Sequence, residues 1–468
     1  MENFWDYSVW GFIMIVSVLL GSLLVGNTLK RKIPFLKKSL IPASVLGGTI
    51  LIVIASIYKS IVGEVIFDTA IFNSHGTAYL EMITYHTLAL GFIASSLKIT
   101  NSHLDRKRTA EIFNSGITTV STYLLQGIAG LIVTIVASFV MDGFFEAAGM
   151  LLPFGFGQGT GQAMNYGNIY EQDYGFSGGK SFGLTIAALG FLCASFGGVI
   201  HLNVMKKQGK LKMPKHTQML NNEKIEGNDE VPMQESLDKT SIQIAFIFVS
   251  YALAYLLMYL LGRLVPSMKS TVYGFNFLLG VLCATVVKYI TRLLRKKQLM
   301  HREYINNFLL TRLSNFFFDV MIVSGISAIR LDILEQYWGI AILLAISGFV
   351  VTYAYNRIVA LTLFEDYVEE QFLAMYGMLT GTASTGIILL REVDGSFKTP
   401  AADNLVYQNF SAILFGFPML ILASLAPNNT LLTLVIAVVY FLILNILLFK
   451  EEISKTHSMK AKSKPKVN

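Results

Sequence analysis

The chain has 468 residues, of which 53% are hydrophobic and only 14% are charged, and its mean hydropathy is +0.56. Soluble proteins carry about a quarter of their residues as charged side chains, so this composition excludes a water-soluble globular domain and indicates a protein whose solvent is lipid. In hydrocarbon every backbone N–H and C=O must be satisfied internally, and the long apolar runs here favour helices over a closed barrel.

Two further features exclude other classes of protein. Cys193 and Cys283 are the two cysteines, and each lies inside an apolar stretch, which supports neither a disulfide framework nor a cysteine-based metal site. The N-terminus, MENFWDYS, is acidic and lacks the positive segment and small-residue end of a secretory signal. We therefore expect the first apolar run to remain as a membrane span.

Eleven apolar runs predict membrane-spanning helices, since a bilayer core of roughly 30 Å needs about 20 residues of helix. In chain order the predicted spans are 9–28, 39–58, 80–97, 112–141, 182–204, 241–262, 271–290, 308–329, 338–361, 408–426 and 430–449. The long polar segment 205–240 separates the fifth span from the sixth, and we predict a cytoplasmic linker there.

Positive charge is concentrated on one side of these spans. Of the 37 Lys and Arg residues, 28 fall in loops and termini of one side and five on the other. Because cytoplasmic loops are enriched in Lys and Arg, we predict an external N-terminus and a basic cytoplasmic tail at 450–468. This placement explains the net charge of +7 without a nucleic-acid partner. The tail is interpreted as a retention signal, with binding to anionic lipid as the alternative.

The number of spans in each half predicts the fold class. Five spans in 1–204 and five in 241–426 mean that the second half enters the membrane in the opposite sense to the first, as in an inverted repeat. We predict an all-α polytopic membrane protein with two inverted repeats of about five transmembrane helices and an extra C-terminal span at 427–449.

Similar glycine-rich segments occupy the same place in each half. LLPFGFGQGTGQAMN follows the fourth span and AMYGMLTGTASTG follows the ninth. Both are too apolar for solvated loops and too rich in glycine for stable full spans, so each repeat is predicted to contain a re-entrant hairpin that dips into the bilayer and returns. Half-helix ends at that depth direct positive dipoles at an anion and free carbonyls at a cation, which suits a carboxylate that travels with sodium.

At these residues the chain resembles the bacterial sodium/glutamate symporters. The resemblance rests on Ile41-Pro42 leading to Gly47-Gly48, on the first hairpin at Gly157 to Gly161, and on the second at Gly377 to Thr382. It covers about residues 9–426. It implies inverted five-span repeats, hairpins that cross near a midplane site, a homodimer in the bacterial inner membrane, and glutamate transport coupled to Na⁺, with no other cofactor.

The chain departs from the family's pattern at the hairpins. Gln158 stands where the family usually has His, Gln162-Ala163-Met164 where it has Ala-Ala-Trp, and Ala383-Ser384-Thr385 where it has Thr-Pro-Thr. These differences keep a second interpretation open: a sodium- or proton-coupled carrier on the same scaffold for another organic anion or amino acid.

The candidate substrate-binding residues come from the two hairpins. They are Gln158, Gly159, Thr160, Gly161 and Asn165 in the first, and Gly381, Thr382, Ser384 and Thr385 with the adjoining Arg391 in the second. Glycine lets a ligand approach the backbone, threonine adds a hydroxyl oxygen, and the amides can hold a carboxylate or amino group. The alternatives are close helix packing for the glycines and threonines and interhelical hydrogen bonds for the amides.

The candidate ion-binding residues lie in the third and eighth spans. Asp319 is in the middle of the eighth span, where a charged side chain is costly enough to suggest function. His86 occupies nearly the matching place in the third span, followed by Ser95 and Ser96. A structural polar contact is the alternative. Arg357, near the second hairpin, is either a carboxylate partner or a positively charged helix end.

Two other function classes compete with a transporter. An enzyme is disfavoured because the glycine runs lack the Gly-Lys-Ser/Thr of a phosphate loop, no H-E-x-x-H motif occurs, and no long soluble domain is available for a catalytic pocket. An ion channel is the minor alternative, since TGTASTG resembles a carbonyl filter. Such filters are built from identical loops around an axis, whereas these two hairpins are unequal.

Overall fold

The computed structural model describes residues 3–38, 40–99, 106–209, 237–266, 269–274, 276–300, 302–331, 337–394 and 399–450. Within these ranges the chain forms helices and no β-strand. Most of the predicted linker and nearly all of the basic tail lie outside the described residues.

Fourteen helices carry the architecture. They are α1 Tyr7–Lys32, α2 Ala43–Val62, α3 Gly76–Leu97, α4 Arg106–Ser138, α5 Leu151–Tyr174, α6 Gly179–Lys207, α7 Lys239–Leu264, α8 Asn276–Lys296, α9 Asn307–Ser327, α10 Trp338–Leu363, α11 Val368–Thr380, α12 Ala383–Arg391, α13 Asn409–Leu425 and α14 Thr430–Leu448. Shorter helical segments are Pro34–Lys38, Ile66–Asp68, Ala70–Phe72, Glu146–Met150, Lys269–Gly274, Glu365–Tyr367 and Ala401–Tyr407.

Each of the eleven predicted spans overlaps a helix, and nine of the described helices are long and apolar enough to cross a membrane. The two others are α3 and α13. More than half of α3 is buried inside the protein, including Thr84 and Thr87, so this helix does not need an apolar surface all round. α13 has 17 residues. The extra C-terminal span corresponds to α14, an apolar helix of 19 residues.

The two halves contain the same elements in the same order. Four helices, a glycine-containing hairpin and one further helix make up α1–α6, and the same series recurs in α7–α13. Helix α6 reaches Lys207 and α7 begins at Lys239, so both helices extend a few residues into the segment 205–240 that was predicted as a linker. The inverted orientation of the halves stays a prediction.

The halves are joined through the antiparallel helices α3 and α9. Thr84 Oγ1 lies 2.9 Å from Ser324 Oγ, and Ser314 Oγ donates a hydrogen bond of 2.9 Å to the Gly91 carbonyl. A Cβ at Gly91 would lie 2.7 Å from the Phe318 ring. The absence of a side chain at Gly91 therefore lets the two helices approach closely.

An ionic cluster fixes the start of α11 to α6 and α10. Arg357 donates two hydrogen bonds, of 2.7 and 2.9 Å, to the Glu369 carboxylate. His201 Nε2 lies 2.8 Å from the same carboxylate, and its Nδ1 lies 2.8 Å from Tyr353 Oη. Arg357 is thus an ion-pair partner of Glu369, and the structure does not place it among the residues that line the cavities described below.

We expect Arg357→Met to lower the free energy of unfolding by about 2 kcal/mol, because the substitution removes both hydrogen bonds to a largely buried carboxylate. Thermal unfolding of the detergent-solubilised protein measures this loss. The matched control is Lys107→Met, which removes an ion pair of 2.7 Å to Asp366 whose side chains are 69% and 71% exposed. Such surface pairs contribute at most about 1 kcal/mol. Equal unfolding temperatures for the two variants would contradict a stabilising role for the cluster.

Candidate functional site

The first hairpin is helix α5, which is interrupted at Gly159. Gly159 has φ 77° and ψ −168°, a backbone conformation that is essentially restricted to glycine. The rings of Phe154 and Tyr166 stack in parallel with centroids 4.1 Å apart. An uninterrupted helix would separate residues twelve positions apart by about 18 Å. The chain therefore turns sharply at Gly159, between two helical arms, as the predicted half-helices require.

The second hairpin is formed by α11 and α12, with Gly381 and Thr382 at its turn. A Cβ at Gly377 would lie 2.8 Å from the Gly386 Cα, so the two arms lie side by side with glycine facing glycine. Small residues at such contacts let backbones approach without a side chain between them.

The turns of the two hairpins meet. A Cβ at Gly159 would lie 3.1 Å from Thr382 Cγ2 and 3.8 Å from the Gly381 carbonyl oxygen. The next residue, Thr160, is fully buried and donates a hydrogen bond of 3.1 Å to the Met321 carbonyl of α9. The predicted Gly-Thr pairs from the two halves are therefore in contact inside the protein, where Gly161 also packs against Met321.

A cavity of about 140 Å³, here called the central cavity, lies against both turns. Three predicted site residues line it: Gln158, Thr382 and Ser95. Its other polar side chains are Thr119, Tyr123 and Asn409, and its remaining wall is mainly apolar.

A larger cavity of about 870 Å³, here called the inner vestibule, adjoins the central cavity. The two share the lining residues Ser95, Phe318, Ala383 and Asn409. Positively charged side chains dominate the vestibule: Lys30, Arg31, Lys98, Arg312 and Arg391 line it together with the acidic Asp319 and Asp403. Lys30, Arg31 and Lys98 belong to the side of the chain predicted to be cytoplasmic, so the vestibule lies on that side.

Two buried hydroxyl groups of the second hairpin have no hydrogen-bond partner within the described ranges. These are Thr382 Oγ1 and Thr385 Oγ1, on residues that are 8% and 1% exposed. A Cβ at Gly381 would lie 2.8 Å from Thr385 Oγ1, so this hydroxyl lies against the turn. Buried polar groups are nearly always satisfied, and these two hydroxyls lie beside the C-terminal end of α11, the kind of helix end that coordinates Na⁺ in discontinuous helices.

Other predicted site residues lie away from the central cavity. His86 Nδ1 lies 2.7 Å from Tyr251 Oη, and Asp319 lines the inner vestibule, so the structure does not bring this pair together. The Ser96 carbonyl accepts a hydrogen bond of 2.5 Å from Lys288. Asn165 lines a third cavity, which lies at the start of α3, whereas the vestibule lies at the end of that helix. Ser384 lies in the first turn of α12.

Sequence reasoning missed several residues of the central cavity. Asn409 lines both the cavity and the vestibule from the start of α13. Tyr123 of α4 packs on Gly157 and donates a hydrogen bond of 3.1 Å to its carbonyl. Asn409 could have been found from the sequence, because it is a polar residue at the start of an apolar run. Tyr123 carried no signal, because its role depends on a glycine 34 residues later.

We expect the substitution Asp319→Asn either to abolish the dependence of uptake on the coupling ion or to uncouple substrate uptake from ion movement. The change removes a charge from the wall of the inner vestibule while its shape is preserved. Uptake into proteoliposomes at several sodium concentrations measures the effect. Unchanged sodium-driven uptake would exclude Asp319 from the ion site.

The membrane-length helices define a multi-pass membrane protein, inside which a glycine-containing turn from each half meets the other beside a cavity. The family model described as sodium/glutamate symporter matches residues 11–368, and the chain belongs to this family. The resemblance inferred from the glycine motifs is confirmed over that range, which ends at the first residue of α11. A comparison with curated proteins gives no match.

Proposed function

We propose that this chain is a secondary active transporter that couples the uptake of glutamate, or of a similar small carboxylate, to sodium by alternating access. The observation that carries the proposal is the contact between the two hairpin turns at a cavity that adjoins a vestibule on one side of the protein. Membership of the sodium/glutamate symporter family supports both the cargo and the ion.

The central cavity has the size and chemistry for a small organic acid. A volume of about 140 Å³ corresponds to about four or five water molecules at liquid density. Hydroxyl and amide groups of Ser95, Gln158 and Asn409 line it, and helix α12 begins at its wall with Ala383. The N-terminal end of a helix favours negative charge, so the carboxylate of the substrate binds there in this proposal.

Sodium occupies the turn of the second hairpin in the same proposal. The unpaired hydroxyls of Thr382 and Thr385 supply two oxygen ligands, and the carbonyls that end α11 supply others. Ion and substrate then bind on the two sides of one turn, which provides a physical link between their occupancies.

The arrangement corresponds to an inward-facing state, because the cavity shares lining residues with the positively charged vestibule. We place the protein in the bacterial inner membrane with the N-terminus outside and the C-terminus in the cytoplasm, as a homodimer whose hairpins re-enter the bilayer. The family consists of transporters, which argues against an enzyme.

Uptake by proteoliposomes tests the proposal. Purified protein is reconstituted and offered a panel of labelled amino acids and dicarboxylates, with and without an inward sodium gradient. We expect saturable uptake of glutamate that depends on the gradient, and exchange with unlabelled substrate inside the vesicles. Uptake indifferent to sodium would exclude the symport mechanism, and non-saturating flux without exchange would indicate a channel.

A further inference from the structure

A cavity of about 560 Å³ on the opposite side of the first hairpin from the vestibule has no role in the site described so far. This outer cavity lies between α3, the second arm of α5 and the segment Lys269–Gly274. The polar and charged residues used below are Glu81, Asn165, Asn168, Gln172, Asp173 and Lys180. None of them lines the central cavity.

Opposite charges stand side by side in the outer cavity. Lys180 Nζ lies 2.8 Å from Glu81 Oε2, and the side chains are 23% and 24% exposed. Asp173 adds a second carboxylate, and Asn168 and Gln172 add amides. The inner vestibule, by contrast, is dominated by positive charge.

The outer cavity is complementary to an α-amino acid. Such a molecule carries a carboxylate and an ammonium group on neighbouring atoms, and the Lys180–Glu81 pair presents the two opposite charges at similar spacing. The amino acid's carboxylate can bind Lys180 while its ammonium binds Glu81 or Asp173, each by a charge-assisted hydrogen bond. A dicarboxylate has no group that could bind the acidic residues.

A layer of hydrogen bonds closes the floor of the outer cavity. Asn165 donates a hydrogen bond of 2.5 Å to the Gly274 carbonyl, and Tyr85 donates one of 2.8 Å to the Tyr273 carbonyl. Asn276 donates a third, of 3.0 Å, to the Tyr85 carbonyl. The neighbouring residue Phe277 lines the central cavity. The hydrogen-bonded layer therefore includes residues that line the outer cavity and adjoins a residue that lines the central cavity.

We propose that the outer cavity is a second, external binding site for a zwitterionic α-amino acid, in which Lys180 binds the carboxylate and Glu81 the ammonium group before the hydrogen-bonded layer opens. This inference rests on the proposed function and narrows the substrate class: it favours an amino acid over a dicarboxylate.

The test compares Lys180→Gln and Glu81→Gln in right-side-out and inside-out membrane vesicles, with L-glutamate as substrate and succinate as inhibitor. Lys59→Gln is the matched control, because Lys59 lies in the last turn of α2, on the side predicted to be external, and lines a different cavity. We expect each site variant to raise the external KM for glutamate about tenfold, as the loss of one charge-assisted hydrogen bond requires. The KM from the cytoplasmic side and all values for the control should stay within about twofold.

Inhibition of glutamate uptake by external succinate distinguishes a binding role of Lys180 and Glu81 from a purely structural one. If Lys180 binds carboxylate, Glu81→Gln frees it and strengthens inhibition, whereas Lys180→Gln weakens inhibition. If the Lys180–Glu81 ion pair only holds α3 and α6 together, both variants should change succinate inhibition in the same direction, in right-side-out and in inside-out vesicles. That result would overturn the proposal.

Equilibrium binding of labelled L-glutamate to the purified protein provides a readout that does not depend on transport. We expect two sites per chain in the wild type and one in the Glu81→Gln/Lys180→Gln double variant. One site in the wild type, with sodium-driven uptake intact, would overturn this inference and leave the proposed function standing. A wild type without sodium-dependent uptake would overturn both.

Discussion

Replacing Gly159 by alanine is expected to lower the initial rate of sodium-driven uptake at least about 100-fold, since about 3 kcal/mol of backbone strain and steric conflict would oppose the native turn. Gly159 has φ 77° and ψ −168°, which an alanine does not adopt without strain. The added Cβ would also lie 3.1 Å from Thr382 Cγ2. The turn must shift away from the second hairpin, and the wall of the central cavity shifts with it.

Gly21→Ala is the control for this experiment. Gly21 lies in helix α1, and a Cβ there would meet no atom within 4 Å, so uptake should stay at the wild-type rate. Proteoliposomes that contain equal amounts of each variant give the comparison. Wild-type uptake by Gly159→Ala would show that the contact between the hairpins is dispensable for transport.

Thr382→Val and Thr385→Val are expected to raise the sodium concentration for half-maximal uptake by about tenfold each, if each hydroxyl contributes one ligand to Na⁺. The same substitutions should stabilise the sodium-free protein, because a buried hydroxyl without a partner costs about 1–3 kcal/mol. Each substitution should therefore raise the unfolding temperature of the sodium-free protein. It should also reduce the further rise in unfolding temperature that added sodium causes in the wild type.

Thr433→Val in α14 is the matched control for both measurements. Thr433 is also buried, and its hydroxyl donates a hydrogen bond of 2.9 Å to the Asn429 carbonyl. Its replacement should leave the sodium dependence unchanged and bring no stabilisation. Hairpin variants that lose stability without sodium and keep the wild-type sodium response would exclude these hydroxyls as ligands.

The glycine pattern of the first hairpin shows what the sequence could and could not predict. Gly155, Gly157, Gly159 and Gly161 all pointed to a break in the helix. Only Gly159 has positive φ among them. Gly157 leaves room for the ring of Tyr123, and Gly161 leaves room for Leu88 and Met321. The position of the break depends on neighbours from other helices, and the local sequence does not contain that information.

The residues His86 and Asp319 show a second limit of prediction from the sequence. Their similar positions in the third and eighth spans suggested one ion site, yet His86 faces Tyr251 and Asp319 lines the inner vestibule. Equivalent residues of two inverted repeats lie together only near the axis that relates the repeats. Hydropathy, by contrast, depends on each segment alone, and so the helices were predictable to within a few residues at most of their ends.

The interlocking of the two halves has a consequence for biogenesis. Gln126 of α4 donates hydrogen bonds of 2.7 Å to Thr352 and 2.8 Å to the Leu379 carbonyl, and Thr160 depends in the same way on Met321. When the ribosome has delivered only α1–α6, these polar groups lack their partners, and each unsatisfied group in the hydrocarbon region costs several kcal/mol. The first half therefore acquires its native hydrogen bonds only after α9, α10 and α11 have been inserted beside it.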